Sequence, residues 1–227
     1  MASAVTAIIT RFQRRFRGCD STYAATLFDD AHRLILKKCQ VRNTTRVISL
    51  TAGTRQYDLN ANVYKVHEAY YERSSDPGTW QVINETNTDK LIELSRGWRA
   101  RSTSSVPWFY YITSTTDSDT AKNQIGFHPI PDTTTSGSYP RVVLYVTEYA
   151  ALTGAETVPE NLLDDDVYLD LMSEMYCKET EHEKHGFYEK EALKSLEANA
   201  QHVENLQSHG VDFEIITPFA SGLGQVY

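Results

Sequence analysis

The chain has 227 residues, 41% of them hydrophobic and 23% charged, enough for one large domain or two modest ones with a buried core. Its formal net charge of −8 argues against a broad face that grips duplex DNA. Three cysteines without CxxC spacing, Cys19, Cys39 and Cys177, argue against a disulfide scaffold or a zinc knuckle.

Val5, Ile8, Ile9, Phe12 and Phe16 fall at helical spacing, with Arg11, Arg14, Arg15 and Arg17 mostly off that stripe. The arginines break the apolar run too early for a signal peptide, and no stretch approaches the roughly 20 apolar residues of a spanning helix. The expectation is a protein kept in a reducing cytoplasm, with no membrane partner. Gly18 closes the first helix. Asp20 or Ser21 caps a second, with Ala24, Leu27, Phe28, Ala31, Leu34 and Ile35 inward, which stops near Cys39.

A β block follows. Val47–Leu50, a turn at Ala52-Gly53-Thr54 and a return over Gln56–Leu59 read as a hairpin. Alternation over Val63–Glu72 puts Val66, Glu68 and Tyr70 on one side and Lys65, His67, Ala69 and Tyr71 on the other. A turn at Ser74–Gly78 leads to a strand at Trp80–Ile83 and a short helix from about Asn87 to Leu94, capped by Thr86. Val106–Ile112 reads as an aromatic strand, Thr113–Lys122 as a polar loop, and Gln124–His128 as a strand stopped by Pro129. Thr133–Tyr139 is a further loop before the last strand, Arg141–Tyr149. Short strands with turns at regular intervals predict an antiparallel sandwich or small barrel.

Pro159 marks the first turn of the next helix, with Glu160 and Asp164-Asp165-Asp166 in its opening turns. Tyr168, Leu171, Met172, Met175 and Tyr176 form its inner stripe. Gly186 marks a reversal, and Leu193, Leu196, Ala200 and Val203 the inner stripe of its partner. The fold class expected is α+β: a helical bundle built from both ends of the chain, with an inserted antiparallel β-sandwich or barrel. The divisions are 1–44, 45–152 and 153–208, followed by an extended tail, 209–227.

No GxSxG, P-loop, dinucleotide turn, HExxH or calcium loop is present. The three adjacent aspartates point in different directions on a helix and suit its N-terminus better than a cation. His182 and His185 in Glu181–His185 read as a solvated helix end, since a zinc site needs further ligands. His128 reads as structural. No catalytic set and no cofactor is expected, and a hydrolase of cell-wall glycans is a remote alternative. On residues alone the arginines are a solvated face, with contact to phosphate or an acidic partner as the alternative. Fourteen tyrosines with Trp80, Trp98 and Trp108 suit cores and interfaces, or a carbohydrate platform. The tail holds Ile215, Ile216, Pro218, Phe219, Leu223, Val226 and Tyr227 without helical period. Such a segment cannot fold alone. Docking on a neighbouring protein, by strand addition, is favoured over packing back on its own subunit.

The ordered series Leu50-Thr51-Ala52-Gly53, Tyr57-Asp58-Leu59, Val63 and Val66 to Tyr70-Tyr71, Trp98, Pro107 with Phe109-Tyr110-Tyr111, Ile125–Asp132, Val142–Tyr145 and Val158-Pro159 resembles the head-to-tail adaptors of tailed bacteriophages. It covers about residues 45–180, and by order of elements the N-terminal helices. That family usually has proline where this chain has Asn60, so a looser turn is expected there. The resemblance implies a homo-oligomeric ring, commonly a dodecamer, beneath the portal protein and around the DNA channel. It implies bridging to tail and nozzle proteins and retention of double-stranded DNA without sequence readout. The chain would be made in the host cytoplasm and end in the virion. The tail would be the arm onto the portal, and Arg11, Arg14, Arg15 and Arg17 would meet portal or local phosphate. The alternative is a carbohydrate- or receptor-binding module of a phage tail.

Overall fold

Val5, Ile8 and Phe12 come round to one side of a helix, and α1 (Val5–Arg15) buries all three. The computed structural model describes residues 4–76, 79–94, 103–117, 120–152 and 164–208. These fall into two compact units, one within Met1–Val41 and Tyr149–Phe213, the other within Arg42–Glu148. The α+β class expected from the sequence is the class observed.

The first unit is helical. Asp20 caps α2 (Ser21–Cys39), its carboxylate accepting the N–H groups of Thr22 at 2.8 Å and Tyr23 at 3.3 Å. Asp164 caps α4 (Asp165–Glu179) in the same way through the Asp166 N–H. Pro159 and Glu160 lie outside the described residues. Leu27, Phe28 and Ile35 pack with Tyr168, Met172, Leu196 and Val203 in one apolar core. The reversal before α5 (His185–Ser208) comes earlier than Gly186, which sits inside that helix. Glu181 takes φ +51°, the His182 N–H donates to the Cys177 carbonyl at 2.8 Å, and the Glu181 N–H to that of Lys178 at 3.4 Å. This is a Schellman end with glutamate in the left-handed position, where glycine is usual. The inner stripe of α5 also differs by one residue. Ala192, Leu196 and Val203 are buried, and Leu193, about 100° round from Ala192, is 55% exposed.

The second unit is a sheet. Its strands are β1 (Thr44–Ser49), β2 (Gln56–Asp58), β3 (Val63–Glu72), β4 (Trp80–Glu85), β6 (Phe109–Asp117), β7 (Thr120–His128) and β9 (Arg141–Glu148). They lie in the order β1-β9-β3-β4-β6-β7-β2. All neighbours are antiparallel except β4 and β6. The helix α3 (Thr88–Leu94) follows β4, and β5 (Thr103–Ser104) pairs in parallel with β8 (Ile130–Pro131).

The expected hairpin of Val47–Leu59 does not form. β1 pairs with β9 and β2 with β7, at opposite ends of the strand order. Flat, those outer strands would stand about 29 Å apart. The six linking residues reach about 21 Å at full stretch, and they also turn at Gly53, φ +78°. The sheet therefore curls into a near-barrel around Val66, Tyr110, Phe127, Val142 and Leu144. The looser turn expected at Asn60 is absent. Its side-chain oxygen accepts the Asn62 N–H at 3.1 Å, its carbonyl the Val63 N–H at 3.0 Å, and its amide reaches Glu148 at 3.0 Å.

Strand β3 departs from strict alternation. Register shifts at Val63/Lys65 and Val66/Glu68 bring Val63, Val66, Ala69 and Tyr71 to the core, so Val66 does not share a face with Tyr70. The run read as a loop after Ile112 is instead paired backbone, from Thr113↔Gln124 to Asp117↔Thr120. Its β-branched threonines suit extended chain as well as loop. Asn87, not Thr86, caps α3, accepting the Lys90 N–H at 2.8 Å. Leu91 of that helix packs on Tyr111.

Candidate interaction surfaces

Asp165 and Asp166 in the first turn of α4 face Arg11, whose guanidinium lies 3.4 Å and 2.7 Å from their carboxylates. Arg15 donates to the Ser173 hydroxyl at 3.1 Å, stands 3.7 Å from Asp170 and lies over the Tyr188 ring. Two of the four candidate arginines are thus tied to acids of the same unit. Arg14 and Arg17 are exposed and form no ion pair among the described residues. The aspartate triplet works as a cap and as the partner of an arginine. No metal-binding cluster occurs among the described residues.

The same unit buries a histidine. His32 is 2% exposed, with Nδ1 3.1 Å from the Tyr168 hydroxyl. Burial pulls its pKa down to about 4, against the opposing pull of Asp29. It is a neutral core histidine. His182, one of the two histidines of the helix-end motif, accepts the Lys184 N–H at 3.1 Å; His185 lies 3.4 Å from Glu174.

In the sheet unit, residues paired directly across strands share a face. Val142, Leu144 and Val146 of β9 point into the barrel, so Val143 and Tyr145 point out. The pairings Val47↔Val143, Tyr70↔Val143 and Tyr70↔Val82 therefore lay Val47, Val143, Tyr70 and Val82 in one outward row across β1, β9, β3 and β4. Val47 and Val82, at its ends, are 51% and 50% exposed. Trp80, 44% exposed, stands edge-on to Tyr70 at 5.1 Å, and Tyr145 does the same at 5.6 Å.

Two ion pairs flank the row. Arg141 meets Glu72 at 2.6 Å and covers the Tyr139 ring, while Arg42 meets Glu68 at 2.7 Å and covers Tyr145. The Tyr70 hydroxyl donates to Glu68 at 2.6 Å; burial, then that carboxylate, raises its pKa. Trp80 stands out in the sequence but the row does not, because its members come from four strands whose register only the fold supplies. Trp108 is also exposed. Trp98 lies outside the described residues, as does the tail with Ile215, Ile216, Pro218, Phe219, Leu223, Val226 and Tyr227.

Compared with known families, residues 3–202 match the model described as SU10 adaptor protein. The chain belongs to this family. It is a phage adaptor-type structural protein and, as such, a virion component. No curated protein matches the chain. Adaptor-family membership speaks against an enzymatic role. Among the described residues no helix is long and apolar enough to cross a membrane.

Proposed function

We propose that this adaptor is the head-to-tail connector of its virion. Copies assemble as a ring, a dodecamer by resemblance, seated beneath the portal. The ring extends the DNA channel, joins the capsid to tail and nozzle proteins, and helps retain the packaged genome. The family match over residues 3–202 carries this reading. Charge supports it, because a subunit of net −8 repeated round a channel lets DNA slide instead of sticking. All four candidate arginines are exposed, and Arg14 and Arg17, which form no ion pair among the described residues, are the two left for portal or phosphate contact.

The C-terminal arm, with Ile215, Ile216, Pro218, Phe219, Leu223, Val226 and Tyr227, docks on the portal. Deleting Val211–Tyr227 tests this: the truncated chain loses its capture by purified portal, and undiminished capture contradicts the assignment. A second reading, a carbohydrate- or receptor-binding module, draws on the exposure of Trp80 and Trp108. Glycan-array binding that Trp80→Ala abolishes would favour it.

A further inference from the structure

The outward row on the sheet has a backbone counterpart. β4 pairs with β3 along Trp80–Ile83, but meets β6 only at Asn84 and Glu85. The other edge of Trp80–Ile83 thus has no strand beside it among the described residues. An open edge next to half-exposed Trp80 and Val82 is a template for a second chain. Lysine, proline and inward-pointing charge are the usual protections of such an edge, and Trp80-Gln81-Val82-Ile83 has none of them.

Charge selects the occupant. Two copies of a chain with net charge −8 repel overall, so contact between them is least opposed where the acids are already matched. Here Glu68 and Glu72 are each held by an arginine of the same face, Arg42 and Arg141, and the row between them is apolar. We infer that the outward face of β1, β9, β3 and β4, with the open edge at Trp80–Ile83, is where a second copy of this chain docks. This deepens the ring reading and rests on it. Each copy in a closed ring makes its contact twice, once with each neighbour, so a modest face suffices for a stable assembly.

The test is the mass of the full chain in solution across micromolar concentrations, for the wild type and for Val47→Glu with Val82→Glu. Both valines are half-exposed, so folding is retained, and a thermal melt checks it. The wild type associates, and the double variant associates at least tenfold more weakly. Phe187→Glu, at an exposed site on α5, associates like the wild type. Hydroxyl-radical footprinting gives an independent reading on the unmodified chain, with Trp80 protected in the assembled fraction and labelled in the monomer.

A wild type that stays monomeric at tens of micromolar overturns the inference. So does a double variant that assembles normally, or a loss of association confined to Phe187→Glu. Portal capture measured in parallel separates this inference from the connector reading. Capture by a strictly monomeric chain leaves the connector role standing without this face. Association through this face without portal capture does the reverse.

Discussion

Asn43 and Glu148 hold each other by side chain and backbone at once. The Asn43 amide donates to the Glu148 carbonyl at 2.8 Å, and its side-chain oxygen accepts the Glu148 N–H at 3.0 Å. Asn43 leads into β1 and Glu148 ends β9, so one side chain ties together the two places where the chain joins the sheet unit. The Glu148 carboxylate continues the tie. It receives the Arg46 guanidinium, whose pKa it raises, and the Asn60 amide. An inserted domain needs its two connections held side by side, and this asparagine supplies that.

Asn43→Ala removes both bonds and leaves two backbone groups of a 4% exposed residue without their partner. Urea denaturation should show a loss of about 2 kcal/mol. Asn43→Asp keeps the acceptor, loses the donor, and adds a charge beside Glu148. It should be no better than alanine at neutral pH. Wild-type stability in either variant would contradict the role given to this pair.

Gly126 faces Tyr111 across β6 and β7. A Cβ on residue 126 would lie 2.2 Å from the tyrosine ring, and that ring is held under Leu91. Gly126→Ala should cost about 1–3 kcal/mol. In a Tyr111→Ala background the same change should cost far less, because the obstructing ring is gone. Equal costs in both backgrounds would show that the clash is not what Gly126 avoids.

His32 makes stability depend on pH in a defined direction. Its folded pKa, about 4, lies below the usual 6.5, so the folded state binds fewer protons than the unfolded one between those values. The contribution is fully present above pH 6.5 and is lost as pH falls towards 4, by about 3 kcal/mol in all. Denaturant titrations at stepped pH should show that slope, and His32→Gln should flatten it. A slope unchanged in the variant would assign it to other groups.

The four N-terminal arginines should separate into two classes. Arg11→Ala loses only exposed pairs and should change stability by no more than about 1 kcal/mol. Arg14→Glu with Arg17→Glu should cost no more than about 1 kcal/mol of stability, from the carboxylate placed in the last turn of α1, and should weaken portal capture several-fold, more so at low salt. Capture insensitive to the double change, at any salt, would return both arginines to a solvated face.

Local signals carried the helices well. A cap at Asp20 or Ser21 and the stripe of Val5, Ile8 and Phe12 are readable because each depends on residues within two turns, and the terminal helices meet in one core because each presents such a stripe. Failures came where partners are distant. Nothing local in Gln56–Asp58 says that its neighbour is Gln124–Gly126, so sequence alone points to the nearest strand instead. Bulges in β3 shift the alternation by a residue at points the composition does not mark. Thr113–Asp117 is polar and β-branched together, and pairing with the returning strand decided between those tendencies. Glu181 in a left-handed turn hid the helix end, because glycine five residues later offered the more familiar sign. The apolar row was invisible for the same reason as the strand order: Val47 and Val82 become neighbours of Val143 and Tyr70 only through register.

Whether copies of this adaptor form a ring on the portal is decided by the mass of the assembly with and without purified portal. A closed multimer of defined copy number is expected on the portal, with one tail-proximal ring per portal ring. A chain that remains a strict monomer in both conditions would contradict it.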